Sequence, residues 1–342
     1  MTERNDDGRS ANNFGETKRV KTVEQTKIKK QISIFHVFLN NVASLGANLT
    51  TKKTTAFIAL AVLTPQFSQA QSASTRLPSI SGPISSSLGG AGVVSTEQSE
   101  AGFVNPASLA MAKAQAFSVI HQDGHIYQNT EQEFTGVTIV DPMTTPSTPT
   151  SISYVQGKNK FASADEFEFV YANLSFARTL ADNMSIGFSV LYSSIPYENE
   201  DYVEWNGTVG FLYRPVNNFL LGLKYTHLVP PNDIPQEIKL PAELAVGGEY
   251  DMRGLLKIRG EVSRFEDLNP DKKWVLKTGF QAPIGTFFMY RMGYRFDQVI
   301  DEGALTVGLA FIGPQFKIDY SFQEHQVKDG KTVHSIDLRW PF

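Results

Sequence analysis

Cysteine is absent from the 342 residues. Its absence excludes disulfides, thiolate metal sites, a cysteine nucleophile and a lipid-modified N-terminal cysteine, and leaves the compartment open. Charge is sparse, at 19% of residues, and the basic part of it is concentrated at the start. Residues 1–53 carry ten Lys or Arg against five Asp or Glu, a surplus of +5 that leaves −9 for 54–342. An acidic body lacks the basic footprint that nucleic acid demands, so no nucleic-acid partner is expected. Beyond Gln71 there is also no apolar run of the roughly 20 residues that a membrane-crossing helix takes. If the chain crosses a bilayer, it does so with strands. Catalytic patterns are missing as well. His121, His125, His227, His325 and His334 stand in neither a nucleophile elbow nor a metal-ligand spacing, so neither an enzyme nor a metal or cofactor site is expected.

One short apolar run does occur. Lys52-Lys53 precede Ala56 to Leu63, which lead through Thr64-Pro65-Gln66-Phe67 to the small-residue pattern Ser68-Gln69-Ala70. This is the order of a secretory signal peptide over 49–70, cleaved near Ala70. The stretch 1–48 is polar and mixed in charge, partly apolar only at Ile32 to Val42. It reads as a disordered leader or a misassigned start. Translation from a non-AUG codon at Leu49 would give an ordinary signal peptide, and a long n-region removed with the rest is the alternative.

The remainder of the chain is a series of alternations. In Phe316-Lys317-Ile318-Asp319-Tyr320-Ser321-Phe322-Gln323 every second residue is aromatic or aliphatic and the others are charged or polar. Because successive side chains of a strand point to opposite faces, this gives one greasy and one wet face. The period recurs in Phe288, Tyr290, Met292, Tyr294 and Phe296, and in Leu256, Ile258 and Val262. Turn signals at Asp182-Asn183, Asn217-Asn218, Pro283 to Gly285, Gly313-Pro314 and Asp329-Gly330 separate such runs. Counting from Ala114 gives about fourteen strands of roughly ten residues, an even number as bacterial barrels require. In Phe167 to Phe176 the apolar phase changes near Asn173, which reads as a β-bulge.

A soluble β-sandwich would alternate too. A lipid-facing barrel is favoured because aromatic residues gather at strand ends and the opposite face carries charge. Lys257, Arg259, Glu261, Lys277, Arg291, Arg295, Lys317, Asp319, Asp337 and Arg339 are predicted to face a wet lumen. Cross-strand pairing is expected of Glu261 with Lys277 or Arg291, and of Asp319 with Arg339. The final strand is the sharpest of the set: Ile336, Leu338, Trp340 and Phe342 face one way, Ser335, Asp337 and Arg339 the other, and the chain stops on the aromatic. It resembles the insertion signal that the outer-membrane barrel-assembly machinery recognises, which makes that machinery and outer-membrane lipid expected partners.

Before the strands lies Leu88-Gly89-Gly90-Ala91-Gly92-Val93-Val94, and further on Asn105-Pro106-Ala107-Ser108-Leu109-Ala110. Gly89, Gly90 and Gly92 permit positive φ and close backbone packing. Asn105-Pro106 marks a turn. The glycines are not a nucleotide fingerprint, since no strand precedes them and no Lys-Ser or Lys-Thr comes after.

This stretch, Leu88 to Ala110, resembles the start of the long-chain fatty-acid transporter (FadL) family and its PorV-type relatives of type IX secretion. The resemblance implies an all-β transmembrane antiparallel barrel, 114–342, around an N-terminal hatch or plug, 71–113. It also implies passage of hydrophobic small molecules such as fatty acids, with ligand leaving through the hatch region and a gap in the wall. Gly89, Gly90, Gly92, Asn105 and Pro106 would form the hatch architecture. With 272 residues after Ala70, there is little room for long extracellular loops, Asp141 to Pro149 and Pro230 to Pro241 being the longest candidates. A non-transporting barrel that serves as a secretion or assembly partner, like the PorV-type relatives, is the alternative.

Overall fold

The computed structural model describes residues 80–342 apart from 128–129, 146, 162–165, 198–199, 230–233, 236–237, 267–273 and 327–330. The expected leader, the signal peptide and 71–79 lie outside the described residues. Two short helices, α1 (Pro83–Ser86) and α2 (Gln98–Val104), and a 3-10 helix over Pro106–Met111 come first. The first half of the strands comprises β1 (Ala116–Tyr127), β2 (Thr130–Asp141), β3 (Thr150–Phe161), β4 (Glu166–Ala181), β5 (Met184–Tyr197), β6 (Glu200–Val216) and β7 (Phe219–Thr226). The second half comprises β8 (Glu243–Asp251), β9 (Lys257–Phe265), β10 (Trp274–Ile284), β11 (Phe288–Asp297), β12 (Glu302–Ile312), β13 (Lys317–His325) and β14 (Thr332–Pro341).

Each strand pairs antiparallel with its sequence neighbour, and β14 closes on β1 through Phe117 opposite Trp340 and Val119 opposite Leu338. The described residues thus form a closed fourteen-strand barrel, which leaves no strand edge unpaired around the wall. The last strand is its closing stave. Asp337 and Arg339 are buried inside, while Ile336, Trp340 and Phe342 are exposed outside.

The exterior is apolar where a soluble protein would be polar. Ile152, Leu174, Phe176, Phe188, Trp205, Val246 and Leu309 are all exposed, as a lipid-facing band requires. Both barrel ends of the chain share one rim with short turns at 182–183, 217–218 and 285–287. Near that rim the tilted rings of Phe288, Phe311 and Phe316 pack with centroids 5.5–5.7 Å apart, as in an interfacial aromatic girdle. The connection between β2 and β3, expected beside that between β7 and β8 among the long outer loops, lies on this same rim, whereas β7 and β8 are joined at the opposite one.

The bulge expected at Asn173 is absent. β4 pairs in unbroken register with β3 and β5 through that residue, Asn173 lying opposite Ser153 and Leu191, and the register shift falls at Thr179/Ala181 instead. The apolar phase changes because both faces are apolar in turn. Leu174 and Phe176 face out, whereas Phe167, Phe169 and Tyr171 point inward and are buried.

Residues 80–113 run inside this wall. Seven inward-facing glycines mark their path. A Cβ added at Gly187 of β5 or Gly210 of β6 would strike Pro106 or Asn105; at Gly222 of β7 or Gly247 of β8 it would strike Val93. At Gly279 of β10, Gly293 of β11 and Gly308 of β12 it would strike Leu88, Gly89 and Ser87. At Gly187, Gly222, Gly279 and Gly293 segment backbone lies directly on strand backbone, and at Gly210, Gly247 and Gly308 a segment side chain takes the space.

Candidate functional site

The lumen has two unlike sides. From β7 to β14 it is lined by ion pairs. Lys277 Nζ lies 2.7 Å from Glu261 and 3.3 Å from Glu243, and Lys224 lies 3.2 Å from Glu243. Arg259 is paired with Glu249, and Lys257 lies 3.5 Å from Glu249. Asp319 joins two cations, Arg291 at 2.6 Å and Arg339 at 2.8 Å, with Asp337 4.0 Å from Arg339. Arg295 donates to the Ile126 carbonyl at 3.1 Å, and Lys317 lies opposite Arg339 in the sheet. Both expected partnerships, Glu261–Lys277 and Asp319–Arg339, form. Arg291 pairs with Asp319 rather than Glu261, reaching across β12, where Gly308 and Ala310 leave room.

From β1 to β6 the inner face is uncharged for most of its length, with buried polar residues such as Gln122, Gln132, Asn159, Ser175 and Ser189 beside an apolar patch. Ile120, Phe134, Val155, Phe167, Phe169, Tyr171 and Ile195 form one buried cluster with Ile238 and Leu240 from the β7–β8 connection. Ile80 and Phe103 of the lumenal segment, and Tyr197 and Tyr202 beside the β5–β6 loop, pack against it. The cluster therefore extends from the loop ends of β4 and β5 down to the lumenal segment.

Where the two sides meet there is a cavity of about 120 Å³. Ile80, Phe103, Val155, Tyr171, Leu191 and Leu240 give it an apolar wall. Ser153, Asn173, Ser189, Thr208 and Thr226 line it with uncharged polar groups, and Lys224, Glu243, Glu261 and Lys277 bound it on the far side. A second cavity, of about 480 Å³, lies among the short turns, between Met111 and Lys113 and the polar residues Asp182, Asn183, Arg214 and Asp251. Val93, Val94, Leu212, Leu220 and Ala245, each contributing to one buried cluster, separate the two.

The floor of the first cavity is held by the residues the sequence singled out. Gly89 and Gly90 adopt φ +70° and +85°, the left-handed region that favours glycine. A Cβ on Gly92 would meet Val104 Cγ1 at 2.5 Å. Glu261 Oε2 accepts the Gly92 and Val93 N–H groups, both at 2.8 Å, and the Asn105 side chain donates to the Val93 carbonyl at 2.6 Å. Asn105 also accepts from Ala107 N at 3.1 Å, capping the 3-10 helix whose first residue is Pro106.

Two further carboxylates tie the segment down. Glu100 accepts from Ile84 N and Ser85 N at 2.9 and 3.0 Å. Burial raises its pKa above the ordinary value, more than those donors lower it. Glu97 meets Arg339 at 3.0 Å. Burial alone would raise its pKa too, but Arg339, with Arg291 and Lys317 behind it, holds it down at about 2.

Sequence reasoning missed the inward Phe167, Phe169 and Tyr171, whose signal was the phase change at Asn173. It also missed the wall glycines, whose signal is that Gly279, Gly293 and Gly308 fall on the inward phase of their strands. Of the histidines, His121 and His125 share the outward face of β1, where His121 lies 3.0 Å from Thr135.

No protein-family model and no curated protein matches the sequence. Solved structures do match the fold. The CymD monoaromatic hydrocarbon channel superposes with a TM-score of 0.63 at 13% identity, over 76% of this chain and 97% of its own. A Pseudomonas aeruginosa FadL homologue gives 0.60 at 12% identity, over 79% and 100%. The Ralstonia pickettii toluene transporter TbuX gives 0.59 at 14%, over 76% and 98%. At these identities the likeness shows the fold alone, a barrel of the architecture these proteins share.

Proposed function

We propose that this FadL-type barrel resides in the bacterial outer membrane and admits small hydrophobic molecules. One observation carries the reading: an apolar cluster on the inner faces of β1–β5 extends from the loop ends of β4 and β5 to a cavity on the lumenal segment. The similar solved proteins, described as channels for monoaromatic hydrocarbons and as a toluene transporter, support the same direction. Residues 80–113 act as the hatch, with Gly89, Gly90, Gly92, Asn105 and Pro106 shaping its close fit and the lumenal charges fastening it. Export by a signal peptide ending near Ala70 and insertion through Ile336–Phe342 belong to this reading.

Within it, compact ligands fit better than long-chain fatty acids. A cavity of about 120 Å³ is on the scale of one that holds benzene, roughly 150 Å³. Both lysines that reach it are already engaged by Glu243 and Glu261, so neither stands ready for a fatty-acid carboxylate. Uptake of labelled toluene and labelled dodecanoate by a deletion strain, with and without the restored gene, tests the reading. Restored toluene uptake is the expected result, and indifference to the gene for both substrates refutes transport.

A second reading, a barrel that serves a secretion or assembly partner, draws on the filled side of the lumen, where Arg291, Asp319, Arg339 and Glu97 form a continuous chain of ion pairs. Normal uptake combined with loss of a secreted protein in the deletion strain would favour it.

A further inference from the structure

The first cavity is walled by strands that pair through the very residues lining it. Ser153 lies opposite Asn173, Asn173 opposite Leu191, Ser189 opposite Thr208, Thr208 opposite Thr226 and Thr226 opposite Glu243. The β6–β7 ladder ends at Thr208 and Thr226, although β6 continues along β5 as far as Glu200. Among the described residues no strand pairs with the Glu200–Gly207 edge of β6 on its β7 side. There the cavity wall is completed by His227, Leu240 and Pro241 of the β7–β8 connection.

That connection is held to β6 mainly by one side chain. His227 turns at φ +56°, with its Nδ1 donating to the Pro241 carbonyl at 3.0 Å. Leu228 then lies over Gly207: its N–H donates to the Gly207 carbonyl at 3.3 Å, and a Cβ on Gly207 would stand 3.1 Å from Leu228 Cδ1. Asn206 is buried and takes the place of a strand partner. Its Nδ2 donates to the Val229 carbonyl at 2.8 Å, and its Oδ1 accepts the Val229 N–H at 3.1 Å. The outside of the junction is apolar, with Trp205, Leu228 and Val229 exposed and Trp205 packed edge-on against Tyr192.

The other boundaries of the cavity are harder to open. Parting two paired strands would leave N–H and C=O groups unsatisfied in the bilayer. Toward the loop ends Phe134, Phe169 and Ile238 are close-packed and buried. Toward the short turns Val93, Val94, Leu212 and Leu220 close the lumen. Freeing the connection from β6 breaks only the Leu228–Gly207 hydrogen bond and the two that Asn206 makes to Val229.

We infer that the junction of Gly207 with Leu228 and Val229 is the portal by which hydrophobic ligands pass between the bilayer and the cavity, and that Asn206 is the clasp holding it shut. This rests on the cavity being the ligand site of the proposed transport, and adds the way in.

The chain has no cysteine, so a single introduced thiol can be modified alone. Radiolabelled toluene uptake is measured in a deletion strain carrying Leu228→Cys or, as a control, Trp274→Cys, exposed on the outside of β10, before and after reaction with fluorescein maleimide. Modification is expected to lower uptake about tenfold or more through Leu228→Cys and to leave Trp274→Cys unchanged. Undiminished uptake through modified Leu228→Cys, or an equal fall in both, overturns the portal and leaves transport standing. Absence of uptake from the native barrel itself removes transport, and the portal with it. The clasp is read in the purified barrel. Thr208→Cys, on the cavity lining, should react with the maleimide about tenfold faster when Asn206→Ala is added, as loss of two hydrogen bonds predicts; equal rates would show that Asn206 does not hold the junction.

Discussion

Gly293 of the wall lies so close to Gly89 of the lumenal segment that a Cβ on the first would overlap the backbone nitrogen of the second. The two glycines, from β11 and from a turn at φ +70°, let backbone rest on backbone where no other residue pair fits. Gly260 of β9 supplies the internal control, since a Cβ there meets nothing within 4 Å. Gly293→Ala is therefore expected to destabilise the barrel or unseat the segment by about 1–3 kcal/mol, the usual cost of overpacking. Gly260→Ala should be near neutral. Urea unfolding of both variants checks this, and equal behaviour would mean that the segment does not rest on β11.

Glu261 makes a different kind of attachment. One carboxylate oxygen takes two backbone N–H groups of the segment and the other takes Lys277. Its removal in Glu261→Ala strands both donors in a buried setting. The desolvation of unpaired groups sets the expected loss at about 3 kcal/mol, Lys277 being spared the worst by Glu243. Glu261→Gln keeps an acceptor for the backbone and should lose less. Protease protection of residues 80–113 reports which attachment has gone.

These attachments show which parts of the fold were legible and which were not. β11, β13 and β14 were plain because charged or polar residues alternate with aromatics, and their inward sets, including Arg291, Asp319 and Arg339, do face the lumen. Asp319–Arg339 and Glu261–Lys277 are consequences of strand adjacency. Of the two partners expected for Glu261, Lys277 is the one it takes; Arg291 reaches Asp319 across a whole strand, a matter of register and of small residues at Gly308 and Ala310. The segment Phe167 to Phe176 misled for a related reason. A strand buried on one face and lipid-facing on the other loses its alternation when the inner face is apolar as well, and pattern alone cannot tell that from a bulge. Tyr171 and Asn173, which line the first cavity, are in that stretch.

Acid should loosen the segment through Glu97. Its folded pKa, about 2, lies below the ordinary 4.5, so its ion pair with Arg339 contributes fully above about pH 4.5 and is lost as pH falls through about 2. Glu100 works the other way: with its pKa raised by burial, it is not weakened by acid. Pepsin cleavage within 80–113, measured from pH 4.5 to 2, is expected to rise in the native protein. In Glu97→Gln it should be high already at pH 4.5 and nearly flat, and identical profiles for the two proteins would show that the pair does not fasten the segment.

The claim that ligand occupies the cavity between β4, β5 and the lumenal segment is tested most directly by filling it. Leu191 lines the cavity on β5, half-buried, and Leu191→Trp puts a bulkier ring system against a space of about 120 Å³. Labelled toluene uptake, measured in a deletion strain carrying either the native gene or the Leu191→Trp gene, decides. The account predicts uptake with the native barrel and loss of at least tenfold with an equally abundant, folded variant; undiminished uptake through the filled cavity would contradict it.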